Sequence, residues 1–205
     1  MIPTKAYIIR ITDPISQEYA KTAAESCERI GIQYEFFEGV EKSETQTDLA
    51  LCASLSHANL WNLIYERKEC AIILEHDAIM LHKVSIDIPD NMIVALGFKL
   101  KDPSKYNHIS AGPSTIIWQT DRHHGAHAYA ITHFTAKLLL DELEEKGVQG
   151  AVDNIYFMKG RRTKVPLGLA DPVSALAWLR KSTIWDESEE YNYSFTRSFY
   201  SNLKQ

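Results

Sequence analysis

Cysteine is scarce in this 205-residue chain. Cys27, Cys52 and Cys70 are an odd count, at spacings that match no zinc or redox motif. Each sits in an apolar stretch and is expected to be a reduced core thiol of a cytosolic protein. Long hydrophobic runs are missing as well. None approaches the ~18 apolar residues of a membrane span, and the short run after Met1-Ile2-Pro3-Thr4-Lys5 is broken by Arg10, too early for a signal peptide. Positive charge is not in excess: Lys and Arg number 22 against 27 Asp and Glu, a net charge of −5. That argues against a nucleic-acid partner, and an anionic substrate would need a metal ion or a local basic cluster. No G-x-G-x-x-G, Walker loop, G-x-S-x-G elbow or Cys/His triad occurs, so dehydrogenase, P-loop and α/β-hydrolase readings lose their motifs.

What is present suits one globular domain: 45% hydrophobic and 24% charged residues, enough core to fold without a staple. Tyr7–Ile11 reads as a strand. Asp13 and Pro14 then offer an N-cap and a first helical residue, predicting a helix from about Pro14 to Ile30 that stops at Gly31. Gln33–Phe37 reads as a second strand, which makes a β-α-β opening and an α/β fold with helices packed on a sheet. A helix is predicted from about Asp48 to Arg67, apolar over much of its circumference. Ala71–Leu74 is an all-apolar strand, the pattern of a strand covered on both faces. Further strands are expected at Met92–Leu96, Thr115–Gln119 and Ala126–Thr132, then a helix at His133–Lys146 and a shorter one from Ala151. Residues 99–113 read as a long loop able to close over a ligand. From Trp185 onward the chain is rich in Tyr, Phe and Ser and has no clear period, so it reads as a tail.

Chemistry-bearing residues cluster in a few places. Glu75-His76-Asp77 directly follows the buried strand, where ligands of open α/β sheets bind. Two carboxylates at i and i+2 can reach a divalent cation such as Mg²⁺ or Mn²⁺ or a ribose hydroxyl; alternatively they simply solvate a strand end. His123-His124-Gly125-Ala126-His127 can complete a carboxylate metal site or be a polar turn with one packed ring. His57 faces the apolar side of its helix, where a core histidine bonded to a backbone carbonyl is the plain alternative to a ligand. Asp153 can cap its helix through the dipole, or be held ionised as a general base. The run Lys159, Arg161, Arg162 and Lys164 can attract a pyrophosphate or complement a helix C-terminus.

The order of these segments is familiar. Glu38-Gly39-Val40, Ala53-Ser54-Leu55-Ser56-His57 with Trp61, Ala71–Asp77, Ala95-Leu96-Gly97, Gly125–Thr132, Ala136–Leu139, Val152-Asp153 and Ser182-Thr183-Ile184 together resemble glycosyltransferase family 25, over about residues 6–184. The resemblance implies a GT-A-type nucleotide-sugar-binding fold over 1–184, a mostly parallel or mixed central sheet flanked by helices, with 185–205 as an aromatic and polar tail. It implies an inverting transfer of a hexose, typically galactose, from UDP-galactose to a glycan or lipid-linked saccharide, with Mn²⁺ (or Mg²⁺) as cofactor. Asp77, Glu75 and His127 are the implied metal ligands, Asp153 the catalytic base, and Glu75, His57, Arg10 and Gly125 the implied donor contacts. The implied location is the cytoplasm or the inner membrane face. The chain departs from the family in two places. The opening strand carries Ile9-Arg10-Ile11-Thr12-Asp13 where the family has Ile-Asn-Leu-Asp-Arg, and His76 replaces the middle acid of an acidic motif. A catalytically inactive GT-A-like nucleotide- or carbohydrate-binding domain is therefore the alternative, and a Mg²⁺-dependent phosphoryl-transfer or hydrolase fold a weaker third.

Overall fold

A computed structural model describes residues 1–46, 48–97, 115–118, 125–148, 150–157, 163–171 and 173–177. The expected loop 99–113, the histidines at 123 and 124, the basic residues at 159, 161 and 162, and the tail 185–205 lie outside the described residues.

The opening β-α-β unit forms for the reasons the sequence suggests. Strand β1 (Lys5–Arg10) leads to helix α1 (Pro14–Arg29), whose first free amides are capped by the Asp13 carboxylate, accepting from Ile15 N at 2.8 Å and Ser16 N at 3.1 Å. Strand β2 (Gln33–Glu38) returns parallel to β1. Helix α2 (Leu49–Arg67) is capped the same way by Asp48, which accepts from Ala50 N and Leu51 N. Strand β3 (Cys70–Glu75) follows, then the short β4 (Ala78–Met80), β5 (Ile93–Ala95), β6 (Thr115–Trp118) and β7 (Ala128–Thr132). Helix α3 (His133–Lys146) starts on Thr132, whose hydroxyl accepts from Thr135 N at 3.3 Å. A π-helical turn (Asp153–Phe157), β8 (Leu167–Asp171) and β9 (Ala175–Ala177) complete the described order.

The fold is mixed α/β. Among the described residues, seven strands form one sheet in the order β2-β1-β3-β7-β5-β8-β6. Strands β2, β1, β3, β5 and β8 run one way, and β7 and β6 run against them. A separate two-stranded sheet pairs β4 with β9. Helices cover both faces of the large sheet, and the alternation of side chains along each strand divides the core accordingly. Tyr7, Ile9, Ala71, Ile73, Tyr129 and Ile131 point towards α2 and α3. Ala6, Ile8, Ile72, Leu74, Ala128 and Ala130 point towards α1, which answers with Ala20, Ala23 and Ala24. Burial of each Ile or Leu here contributes roughly 1.5–3 kcal/mol, while the alanines let α1 lie close to the sheet. Among the described residues, no helix is long and apolar enough to cross a membrane.

Four differences from expectation concern short elements. Strands β4, β8 and β9 carry no readable period. They exist through partners remote in sequence: β4 pairs with β9, β8 with β5 and β6, and at the start of β9 the Leu96 carbonyl accepts from Ser174 N at 2.7 Å and Ala175 N at 3.0 Å. The expected helix from Ala151 is only a π turn within the described residues.

Candidate active site

Parallel strands β1, β2, β3 and β5 deliver their carboxyl ends to one edge of the sheet, and the reversed β7 delivers its amino end to the same edge. This is where a crevice opens in α/β sheets. The edge is stitched together by backbone bonds: Gly39 N donates to Arg10 O at 2.7 Å, Glu75 N to His127 O at 2.9 Å and Leu96 N to Ala128 O at 3.0 Å. Arg10, Glu38, Glu75 and the 125–127 segment are therefore neighbours although far apart in sequence.

Two glycines are required by this geometry. A Cβ on Gly97 would lie 2.0 Å from the Ala175 carbonyl oxygen, so the chain crossing tolerates no side chain. Gly125 has φ +69°, and a Cβ there would lie 3.1 Å from His127 Nδ1. His127 is thus packed between Gly125 and Gly97 and is only 4% exposed.

His57 is buried, as expected, but its partners are side chains and not a backbone carbonyl. Its Nδ1 lies 2.8 Å from the Tyr129 hydroxyl and its Nε2 lies 3.4 Å from Glu75 Oε1. Burial holds the imidazole's pKa down at about 4, against a weaker opposing pull from Asp153. The Tyr129 hydroxyl also accepts from Trp61 Nε1 at 2.8 Å. Burial pushes the Tyr129 pKa well up, and the negative charges of Glu75 and Asp153 add to this. These two acids therefore both lie within electrostatic reach of the buried Tyr129 hydroxyl.

Asp153 does not serve its own turn as a cap. Its Oδ1 accepts from Ala126 N at 2.5 Å, tying the π turn to the segment before β7. The turn is anchored from the other side by the Ser54 hydroxyl, which donates to Gly150 O at 2.5 Å. Tyr156 stands edge-on to Trp61 with centroids 5.1 Å apart, and Phe157 packs on Tyr129 at 5.0 Å. The turn presents its acid to the sheet edge and its aromatic rings to the core.

The remaining expected residues are placed as follows. Arg10 donates through Nε to Glu38 Oε1 at 2.7 Å and lies over the Phe36 ring at 4.0 Å. His76 turns aside, its ring 5.9 Å from that of Tyr19 on α1. Lys164 lies against α3, its backbone N donating to Glu142 Oε1 at 2.7 Å. Among the described residues, no group of three or more His, Cys, Asp or Glu is arranged to hold a metal ion, so Glu75, Asp77 and His127 are not gathered as one ligand set. What the strand end offers is hard oxygen chemistry from Glu75 and Asp77. That donor set fits Mg²⁺ or Mn²⁺, ions commonly held by one or two carboxylates with water and substrate phosphates supplying the rest. Tyr129 and Trp61 are the members that sequence reasoning did not assign. Their signals were the spacing of Trp61 one turn after His57 and an aromatic residue between the alanines of β7.

No protein-family model matches the chain, and no curated protein matches it. Among solved structures it is similar to the galactosyltransferase LgtC in complex with donor and acceptor sugar analogues, at 12% identity and TM-score 0.47, covering 98% of this chain and 96% of that one. It is similar to a glycosyltransferase involved in glycosylation of the major capsid of PBCV-1, at 9% identity and TM-score 0.48, covering 98% and 99%. A mutant Drosophila beta-1,4-galactosyltransferase 7 complexed with manganese, UDP-Gal and xylobiose matches at 8% identity and TM-score 0.40, covering 96% and 80%.

Proposed function

We propose that this chain is a GT-A-type glycosyltransferase that moves a hexose, with galactose the first choice, from a UDP-sugar to a hydroxyl of a glycan or lipid-linked saccharide, inverting the anomeric carbon as the family 25 resemblance implies. The observation that supports it most is that Glu75 and Asp153 are each hydrogen-bonded to the 125–127 segment at the carboxyl edge of the central sheet. We assign the reaction to the cytoplasm or the inner membrane face.

In this reading Glu75 and Asp77 would hold a divalent cation through carboxylate oxygens, and Glu75 would also meet the ribose. When bound, Mn²⁺ or Mg²⁺ would offset the charge that grows on the leaving diphosphate. Arg10 is paired with Glu38 and stacked on Phe36, so it borders the donor rather than reaching across it. The acceptor oxygen attacks the anomeric carbon, the bond from that carbon to the diphosphate oxygen breaks, and UDP departs with the electron pair. Asp153 takes the hydroxyl proton. Its Oδ1 is held by Ala126 N–H, which leaves Oδ2 to receive that proton. A base so positioned contributes about 10²–10⁴-fold.

Titration of the protein with UDP in MnCl₂, alongside turnover of a panel of UDP-sugars, tests this. Binding is expected, weakened at least about tenfold in Asp77→Ala. If no nucleotide or nucleotide sugar binds and Asp77→Ala changes nothing, the proposal fails. The engagement of Arg10 by Glu38 is the observation that favours the second reading, an inactive binding domain. Nucleotide binding with no transfer to any acceptor would select it.

A further inference from the structure

We propose that Trp61, Tyr129 and His57 form a one-way hydrogen-bond relay that fixes where the Glu75 carboxylate points, which makes Tyr129 and His57 positioning residues for whatever Glu75 binds. The inference rests on the donor-site reading only for the identity of that ligand.

The direction of the relay follows from what each group can do. An indole N–H only donates, so the Tyr129 oxygen accepts from Trp61 at 2.8 Å. A carboxylate only accepts, so the His57 nitrogen facing Glu75, Nε2, carries the hydrogen. The Tyr129 oxygen already accepts from the indole, and its own hydrogen needs an acceptor in this enclosed place; His57 Nδ1 lies 2.8 Å away, so it is bare and accepts. An imidazole that donates from Nε2 and accepts at Nδ1 is neutral. Every donor then points the same way, from Trp61 towards the site. Only one tautomer of His57 satisfies all three contacts.

The relay is also enclosed. Trp61, Tyr129 and His57 are each no more than 1% exposed, so water cannot replace a missing partner. Tyr156 and Phe157 pack on the Trp61 and Tyr129 rings and restrict their rotation. Glu75 alone reaches the surface, its side chain 31% exposed. A neutral donor at that place has a specific advantage. A lysine or arginine would orient Glu75 equally well but would cancel the charge with which it attracts a cation or a sugar hydroxyl. A neutral imidazole orients it and leaves the charge in place.

Tyr129→Phe removes the hydroxyl and keeps the ring. Two readouts apply to it: the histidine ring nitrogens by ¹H–¹⁵N NMR, with His57 assigned through His57→Asn, and UDP affinity in MnCl₂ by calorimetry. The wild type is expected to show His57 in the Nε2–H form, with Nδ1 shifted by the hydrogen bond it accepts. Tyr129→Phe should keep that form, because Glu75 still accepts from Nε2, but move the Nδ1 resonance to that of an unbonded nitrogen and bind UDP roughly tenfold more weakly. Should Tyr129→Phe not fold, Trp61→Phe withdraws the first donor and should move both readouts in the same direction by less. An Nδ1–H tautomer in the wild type, or an unmoved Nδ1 resonance in the variant whatever happens to affinity, overturns the relay. A wild type that binds no UDP while Tyr129→Phe still moves the Nδ1 resonance supports the relay and overturns the nucleotide-sugar reading.

Discussion

Tyr7 and Tyr129 occupy matching places and serve opposite ends of the molecule. They sit on strands either side of β3, both opposite Ile73, and both are fully buried on the face that carries α2. The Tyr7 hydroxyl reaches the last turn of α2 and beyond: it bonds Glu69 and accepts from Arg67 Nη1 at 2.8 Å. Arg67 also donates to Glu35 at 3.0 Å, and Glu35 accepts from Lys5 at 2.6 Å. That network contains Lys5 and Arg67 against Glu35 and Glu69, so its charges balance and it closes on itself. The Tyr129 hydroxyl reaches the middle of α2 and meets neutral partners, until the chain of bonds ends on an acid at the sheet edge. One network balances its charges within itself; the other runs through neutral groups to a single acid at the sheet edge. The same side chain at the same level thus joins two different networks according to the turn of α2 it reaches.

The contrast can be broken most severely at Asp153. Asp153→Asn keeps an oxygen for the Ala126 amide, so stability should stay near wild type while sugar transfer falls about 10²–10⁴-fold. Steady-state turnover beside a thermal melt checks it, and equal loss in both would make Asp153 a structural residue only. The next effect is on pH dependence. In metal-free buffer the unfolded chain binds a proton at His57 near the ordinary value of 6.5, whereas the folded protein resists it down to about 4. The stability from this residue is therefore complete above 6.5 and is lost as pH falls towards 4, in total on the order of 3 kcal/mol. Urea midpoints between pH 7 and 4.5 should slope accordingly, and His57→Asn should flatten the slope. The smallest effect belongs to the closed side. Tyr7→Phe leaves Glu69 without its donor and should cost about 1–2 kcal/mol in denaturant unfolding, with UDP affinity unchanged. If it weakened UDP binding as Tyr129→Phe does, the division between the two networks would be wrong.

The first half of the fold was legible because local chemistry marks it. Asp13-Pro14 and Asp48 are N-caps placed immediately before apolar helices, and Ala71–Leu74 can only be a strand covered on both faces. Helix α3 was read to its observed ends for the same kind of reason, with Gly147 closing it. Strands β4, β8 and β9 were not legible, since three to five residues with Gly or Ala in them form strands only when a distant carbonyl is waiting. At the site, the acids announced themselves by following a buried strand, and His57 by its place among apolar neighbours. Its partners did not. That Tyr129 lies beside β3 depends on β7 inserting between β3 and β5, a strand order that no local pattern encodes.

The reversal of β7 carries one more consequence. Tyr129 faces the aromatic side of the sheet and Ala128 and Ala130 the alanine-lined side, under close-packed α1. A single residue inserted between Gly125 and Ala128 that slid the strand by one place would exchange them, driving a phenol into the space beneath α1 and leaving Trp61 and His57 facing a methyl group. The length of that connection is therefore fixed as tightly as its composition, in which Gly125 is required and Ala126, 1% exposed, is part of the core.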